Sequence, residues 1–478
     1  MLRGLMERVY HVEGPGGDLI PPPRPARGAF DRLALFASAV VEGVGHTVPR
    51  TVAQVVAMYR GDRRHGMYFR ASETLETEPL TRRDARVKCF VKAEKINMDK
   101  KIDPAPRVIQ PRSPRFNLRI AQYLKHLEKK IFASIRLIYA KRFDCVGPIV
   151  CKGLSADRLA SALHAKWSRF TKPVAIGLDA SRFDQHVSTS ALKWEHAVYA
   201  ECYHGAHRKD LEWLLSMQLV NYGSARLSDC VVKYKNEGGR MSGDINTSLG
   251  NCLIMCGLIH QFAVERGITI DLANNGDDCV VFLEQRDLGT FSRDLGKWFL
   301  EFGFTMKVEE PVTTFERIEF CQTQPVCVDQ QWTMCRSLVG LSKDMYSLLP
   351  WRDGTMAYGW ASAIADSGLA IAAGMPMFEA LYLRLQRLGM GIKLGNHPLK
   401  NVGGLYHLSV GMDKRPTGIK DSTRVSFWKA FGIPPYMQRL AEEMCTTNVV
   451  TLDTREVTRK KATHYRDTAV PTLRHFTP

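Results

Sequence analysis

Acidic side chains are scarce in this chain relative to basic ones. Its 478 residues carry 49 Asp and Glu against 66 Lys and Arg, a formal net charge of +17. That shortfall points to a polyanionic partner, either nucleic acid or an anionic membrane surface. Cysteine is also sparse. Twelve in a chain of this length exclude a disulfide scaffold, and Cys89, Cys252, Cys256, Cys279 and Cys321 lie in apolar surroundings, as reduced thiols do. Cys202, His204 and His207 stand close enough to suggest zinc, but no second ligand pair follows at finger spacing, which favours an unmetallated helix end. No apolar signal region opens the chain, and no run approaches the roughly 20 apolar residues that span a bilayer. The Ala/Gly-rich stretch 356–375 contains Asp366 and reads as packed helix. The expectation is a soluble chain without a transmembrane segment. There is no internal repeat, and the only low-complexity tract is the proline-rich stretch near residue 21.

What is present is an ordinary folding composition, 45% hydrophobic and 24% charged, with length for roughly two to four domains. The basic excess is unevenly spread: residues 81–130 hold 15 Lys/Arg and 5 Asp/Glu, a net +10. Phe90, Val91, Val108, Ile109, Phe116, Ile120, Tyr123 and Leu124 interleave with those charges, so the segment folds rather than trailing as a tail. Residues 13–28 read as extended linker. A strand is expected at Val87–Val91, a helix at 114–134, a buried strand at Val174–Leu178, and helices at 186–204, 244–266 and 287–302. Hairpins are expected about residue 275 and over 315–336, with helices after 345 and a polar tail from about 452.

The chemistry gathers in three stretches. Leu272-Ala273-Asn274-Asn275-Gly276-Asp277-Asp278-Cys279-Val280-Val281 reads as a hairpin with Asn-Asn-Gly at its turn, holding two carboxylates at a rigid tip. In Gly177-Leu178-Asp179-Ala180-Ser181-Arg182-Phe183-Asp184, Asp179 ends a buried strand, where it can meet Asp277 from a neighbouring strand and share metal ions with it. Asp184 lies past the strand end, suited to a sugar hydroxyl or to capping the helix opening near 186. In the stretch 238–251, Ser242 and Gly243 permit close approach of a nucleotide or strand. Thr247 and Asn251, at i and i+4, share a helix face and suit recognition of a 2′-hydroxyl.

Together, GLDASRFDQHVS at 177–188, RMSGDINTSLGNCLIM at 240–255 and LANNGDDCVVF at 272–282 resemble the palm of viral RNA-dependent RNA polymerases. The match is closest to the tombusvirus-like, carmovirus-like replicases of plus-strand RNA viruses. CFVKAEK at 89–95 with PAPRVIQPR at 104–112 is similar to the family's basic fingers motif, and EFCQTQPV at 319–326 to the hairpin beside its palm.

The resemblance implies an α+β right-hand polymerase with an antiparallel palm sheet backed by helices. Residues 1–29 would be an N-terminal extension and 30–172 fingers. The palm would span 173–345, with a fingers insertion at about 190–240, and 346–478 would be thumb and basic tail. Asp179 and Asp277 would bind two Mg²⁺ or Mn²⁺ ions, supported by Asp278. Asp184, Thr247 and Asn251 would sense the ribose, with Ser242 and Gly243 beside the nucleotide or template. Lys95 and Arg107 would lie over the triphosphate, and Lys307 would be the general acid to pyrophosphate. Phe320, Cys321 and Gln322 would position the 3′ end, and Arg112 and Arg115 would contact phosphates. The implied reaction is RNA-templated addition of nucleoside monophosphates from NTPs, with initiation leaning to de novo. The implied partners are template and product RNA, a membrane-anchored viral replication protein and host factors, in membrane-associated complexes of the host cytoplasm. A reverse transcriptase and a non-catalytic RNA-binding replication factor are the rival readings.

Overall fold

At 173–180 and 278–284 the sequence carries near-continuous apolar runs, and these become the two central strands of an antiparallel sheet covered on both faces. The structure is a computed structural model that describes residues 1–14, 16–62, 64–96, 103–227, 230–348, 351, 354–393 and 404–447. The expected polar tail from about 452 lies outside them. The strands in chain order are β1 (Val12–Glu13), β2 (Leu19–Ile20), β3 (Val87–Val91), β4 (Val108–Ile109), β5 (Pro173–Ala180), β6 (Val220–Arg226), β7 (Val231–Glu237), β8 (Asp271–Asn275), β9 (Asp278–Glu284), β10 (Met306–Val308), β11 (Thr323–Val328) and β12 (Gln331–Arg336). With the helices between them they make a mixed α+β chain. It divides into two compact units, the first built from 1–92, 103–152 and 168–311, the second from the described residues of 93–102, 153–167 and 312 onward.

The first unit holds two four-stranded sheets, ordered β10-β5-β9-β8 and β4-β3-β6-β7. In the former every pairing is antiparallel. Val174, Ile176, Leu178 and Ala180 of β5 alternate into the main hydrophobic core, as do Cys279, Val281 and Leu283 of β9. The helix Thr247–Arg266 packs beside β8 and the helices Ala34–Val44, Pro114–Phe143 and Thr189–Glu201. It ends at Gly267, whose φ of +62° and N–H bonds to the Ala263 and Val264 carbonyls make a left-handed stop.

Several sequence expectations are corrected here. Thr247–Arg266 is long and apolar enough to cross a membrane, contrary to the reading that no run approaches that length. Most of it is buried inside the protein, so the apolar surface is spent on the core. The helix starting at Pro114 runs on to Phe143 because Ile135, Tyr139 and Phe143 continue its buried stripe, and Ser113 caps its start by accepting the Phe116 N–H at 3.1 Å. The expected helix 186–204 is broken: Ser188 caps a new helix, Thr189–Glu201, so Asp184 is not its cap. Likewise 287–302 splits into Leu288–Ser292 and Leu295–Glu301 at Asp294, whose φ is +54°. All 12 cysteines are free, and Cys202 is fully buried with its thiol donating to the Val198 carbonyl.

In the second unit the hairpin β11–β12 begins only at Thr323, because Phe315–Arg317 forms a 3₁₀ turn instead of strand. The helix Ala156–Trp167 packs on β12, with His164 and Trp332 stacked at 5.4 Å. The helices after Leu338 enclose a separate core around Trp351, Trp360, Tyr382 and Phe427.

Phe262 is fully buried and meets Phe291 and Trp298 edge-on at 5.4 and 5.2 Å. Phe262→Ala is expected to cost about 3–5 kcal/mol in a urea or guanidinium titration of the unfolding midpoint.

Candidate active site

The hairpin β8–β9 closes through Gly276 and Asp277, with Asn275 paired to Asp278 across the turn. Here the turn differs from the expected Asn-Asn-Gly, because only Gly276 takes a positive φ, +91°. Asn274 is fully buried and braces the turn from inside. Its Nδ2 donates to the Gly276 carbonyl at 2.7 Å, and its Oδ1 accepts the Gly276 N–H at 3.2 Å. The tip therefore holds its carboxylates through a buried amide, a role that sequence reading had not assigned.

Strand register then sets the carboxylates side by side. Lys307 on β10 lies opposite Asp179 on β5, and Asp179 lies opposite Asp278 on β9. Directly opposed residues in antiparallel strands share a face, so these three form one row, with Asp277 at the adjoining tip. The Asp277 carboxyl is pushed above the usual range, first by the protein crowded around it and then by the charges of Asp184 and Asp179. Its own backbone N–H and Lys152 act in the opposite direction. Water still reaches the side chain, which is exposed. It is a solvent-accessible carboxylate in a confined acidic setting.

That donor set, a group of hard carboxylate oxygens, fits Mg²⁺ or Mn²⁺. Among the described residues no three His, Cys, Asp or Glu side chains converge tightly enough to cage an ion unaided. Mg²⁺ sites acting on phosphates often use only one or two carboxylates and complete the shell with substrate oxygens and water, so the set remains adequate.

Asp184 and Asn251, expected to share a sugar, are in contact: Asn251 Nδ2 donates to Asp184 Oδ1 at 2.9 Å. The amide is oriented by Arg240, whose Nε donates to Asn251 Oδ1 at 3.1 Å. Arg240 is itself locked by a buried ion pair with Glu195, to which Asn246 also donates at 2.9 Å. Gly250 is required there, since any side chain would overlap Arg240 and Glu195. Burial pushes the Glu195 carboxyl up, but the guanidinium outweighs it and holds the group below its usual range. Burial also raises Asp184, against the hydrogen bond from Asn251 and the charges of Arg240 and Arg107. Sequence reading missed Arg240 and Glu195. A signal existed: Glu195 falls on the buried face of its helix with Leu192 and Tyr199, and a charge on such a face is almost always paired.

The other expected residues have surroundings of several kinds. The Thr247 hydroxyl lies 3.0 Å from both the Met241 and Asp244 carbonyls, closing the loop before its helix. Gly243 admits the backbone of Pro111, and Ser242 Oγ accepts the Gln110 N–H at 3.3 Å, so this close approach is to the protein's own chain. Arg112 is buried against Asp244 at 2.5 Å, and Arg115 pairs with Asp84 at 3.1 Å, so both are committed internally and not to phosphates. Arg107 is exposed and acts electrostatically on Asp184. Lys95 belongs to the second unit, where its ammonium donates to the Lys343 carbonyl at 2.6 Å. Burial pushes that ammonium down to about 8, opposed by Asp344. Phe320, Cys321 and Gln322 also lie in the second unit, the last two at φ +53° and +58°.

Comparison with known proteins decides the family. Residues 1–452 match the family described as viral RNA dependent RNA polymerase. The chain belongs to that family. It is 44% identical over 456 residues to the RNA-directed RNA polymerase of tobacco necrosis virus (strain A), covering 94% of this chain and 61% of that protein. It is 39% identical over 473 residues to that of red clover necrotic mosaic virus, covering 97% and 60%. With the tomato bushy stunt virus (strain Cherry) polymerase it shares 42% over 440 residues, covering 90% and 51%. The chain thus spans about 60% of the first two relatives and about half of the third.

Asp277, with its folded pKa raised, contributes stability that is present below the unfolded carboxylate range near ~4 and lost as pH rises through the folded value. Asp277→Asn is therefore expected to melt above wild type at pH 7–8, with the gap closing as pH falls towards ~4. Added Mg²⁺ should raise the wild-type melting temperature and leave that of the variant unmoved. Equal shifts in both proteins would contradict a cation site at Asp277.

Proposed function

We propose that this chain is an RNA-directed RNA polymerase that adds nucleoside monophosphates from NTPs to a 3′-hydroxyl on an RNA template, replicating a plus-strand viral genome. The observation that carries this reading is the row of Asp179 and Asp278 in register, with Asp277 at its tip and the Asp184–Asn251 pair beside it. The right-hand arrangement belongs to the same proposal, with fingers at about 30–172 and 190–240, palm within 173–345 and thumb from 346.

Asp179 and Asp277, supported by Asp278, would hold two divalent ions. When bound, these would lower the cost of the 3′-alkoxide and of the charge that develops on the phosphate. The residues of the chain do the remainder. Lys307, opposite Asp179 and exposed, would give a proton to the departing pyrophosphate. Arg107 adds positive charge on the Asp184 side of the site.

Sugar choice rests on Asp184. Asn251 occupies its Oδ1, and Arg240 prevents the Asn251 amide from turning over, so Asp184 Oδ2 is the acceptor offered to a 2′-hydroxyl. A deoxynucleotide would leave that carboxylate oxygen without a donor, at a cost of about 1–3 kcal/mol. This polar arrangement favours ribonucleotides over the deoxynucleotides of a reverse transcriptase. Membrane association, in replication complexes of the host cytoplasm, would come through a partner or an upstream region, and the apolar helix Thr247–Arg266 is largely consumed by the core.

Purified protein, a short RNA with and without primer, and labelled NTPs provide the test. Wild type should incorporate NTPs, and Asp277→Ala should lose incorporation while still binding RNA. Unchanged activity in Asp277→Ala would sink the catalytic reading. Asp184→Ala should reduce the preference for NTP over dNTP by about tenfold to a hundredfold, matching the hydrogen bond removed. A wild type that uses dNTPs equally well would sink the sugar assignment.

A further inference from the structure

Outside the residues already assigned, one lysine stands near the acidic tip and acts on the Asp277 carboxylate through its charge. The segment Ile149–Cys151 lies along the free side of β8: Asn274 donates its N–H to the Ile149 carbonyl at 2.8 Å, and the Cys151 N–H donates to the Asn274 carbonyl at 2.9 Å. Val150 pairs with Asn274 as a parallel bridge, adding a fifth lane to the order β10-β5-β9-β8. Ile149, Val150 and Cys151 are buried, so the next residue, Lys152, leaves a fixed point two residues from the turn that Asn274 braces. Lys152 is exposed, and among the described residues it has no ion-pair or hydrogen-bond partner. Its charge acts on the Asp277 carboxylate and on the thiol of Cys252, the neighbour of Asn251.

The carboxylate row is thus bracketed. Lys307 lies at one side, on the edge strand β10, and Lys152 lies at the other, beyond β8. In an in-line displacement at phosphorus the attacking and leaving oxygens occupy opposite sides of the reacting atom. If one lysine serves the leaving pyrophosphate, a cation across the row serves the strand that carries the attacking hydroxyl. We propose that Lys152 is a binding residue for a backbone phosphate near the 3′ end of the growing RNA strand, paired across the carboxylates with Lys307 on the pyrophosphate side. This inference rests on the polymerase reading, and it assigns a residue that the sequence motifs do not contain.

Lys152→Ala and Lys152→Arg, compared with wild type, separate the two phosphate sources. Binding of a short primer–template RNA, measured by fluorescence anisotropy without NTPs, is expected to weaken about threefold to tenfold in Lys152→Ala. The slope of log affinity against log salt should flatten by about one contact, and arginine should restore both. The KM for NTP should stay at the wild-type value, and the melting temperature should not move because the side chain is exposed. A raised KM for NTP with RNA affinity unchanged would place Lys152 on the triphosphate and overturn the assignment. Unchanged RNA affinity and salt slope would overturn it as well. Because binding is read without turnover, a wild type that binds RNA but incorporates nothing would sink the polymerase reading, while the Lys152 comparison would still be decided by the anisotropy.

Discussion

The register between β5 and β9 is the constraint on which the rest of the site depends. Val174, Ile176, Leu178 and Ala180 fill the core from one face of β5, while Asp179 faces the other way, opposite Asp278. A slip of one residue would drive Asp179 into the position of an apolar side chain and strip it of solvent. The core therefore enforces the alignment of the carboxylates. The same alignment sets Lys307 beside Asp179 across β10, so a base-to-acid row is built from backbone pairing alone.

Beside this row the chain uses buried charge to orient neutral side chains. An amide has two distinguishable ends, and which end faces Asp184 decides whether the pair attracts or repels. Arg240 donates to the oxygen of Asn251, so the nitrogen must face Asp184. Arg240 in turn is held by Glu195, Asn246 joins Glu195, and Gln218 donates to Asn246 at 3.0 Å. A second buried pair, Arg112 with Asp244, ties the basic segment to the loop that precedes the central helix. Such pairs add little net stability over apolar packing, but each is costly to break by halves, which makes the geometry stiff.

Much of this was legible in the residues. β3 falls at Val87–Val91 as expected, the central helix stands where its apolar period puts it, the acidic hairpin forms with its turn moved onto Gly276 and Asp277, and Asp184 meets Asn251. Less legible were the ends of elements, where tertiary burial overrides local signals: the helix from Pro114 runs to Phe143 because the core continues to accept its side chains. Ser242, Gly243, Thr247 and Arg112 have the chemistry of ligand-facing residues, yet their partners are the protein's own chain. A serine or arginine has the same donors whether it meets a phosphate or a carbonyl, so residue type could not separate the two uses.

By itself the sequence determined the element types, the alternation that buries one face of β5, and the presence of aspartates at a strand end and at a hairpin tip. These are local properties, set by side-chain period and turn chemistry within a few residues. Only the tertiary structure decided which distant groups hold those aspartates in place. Glu195 and Arg240 are 45 positions apart, and Asn274 meets a segment more than a hundred positions earlier. Such contacts exist only once the sheet and the central helix have packed together. Burial then removes water as a competing partner, and each polar group is left with the neighbour that packing supplies.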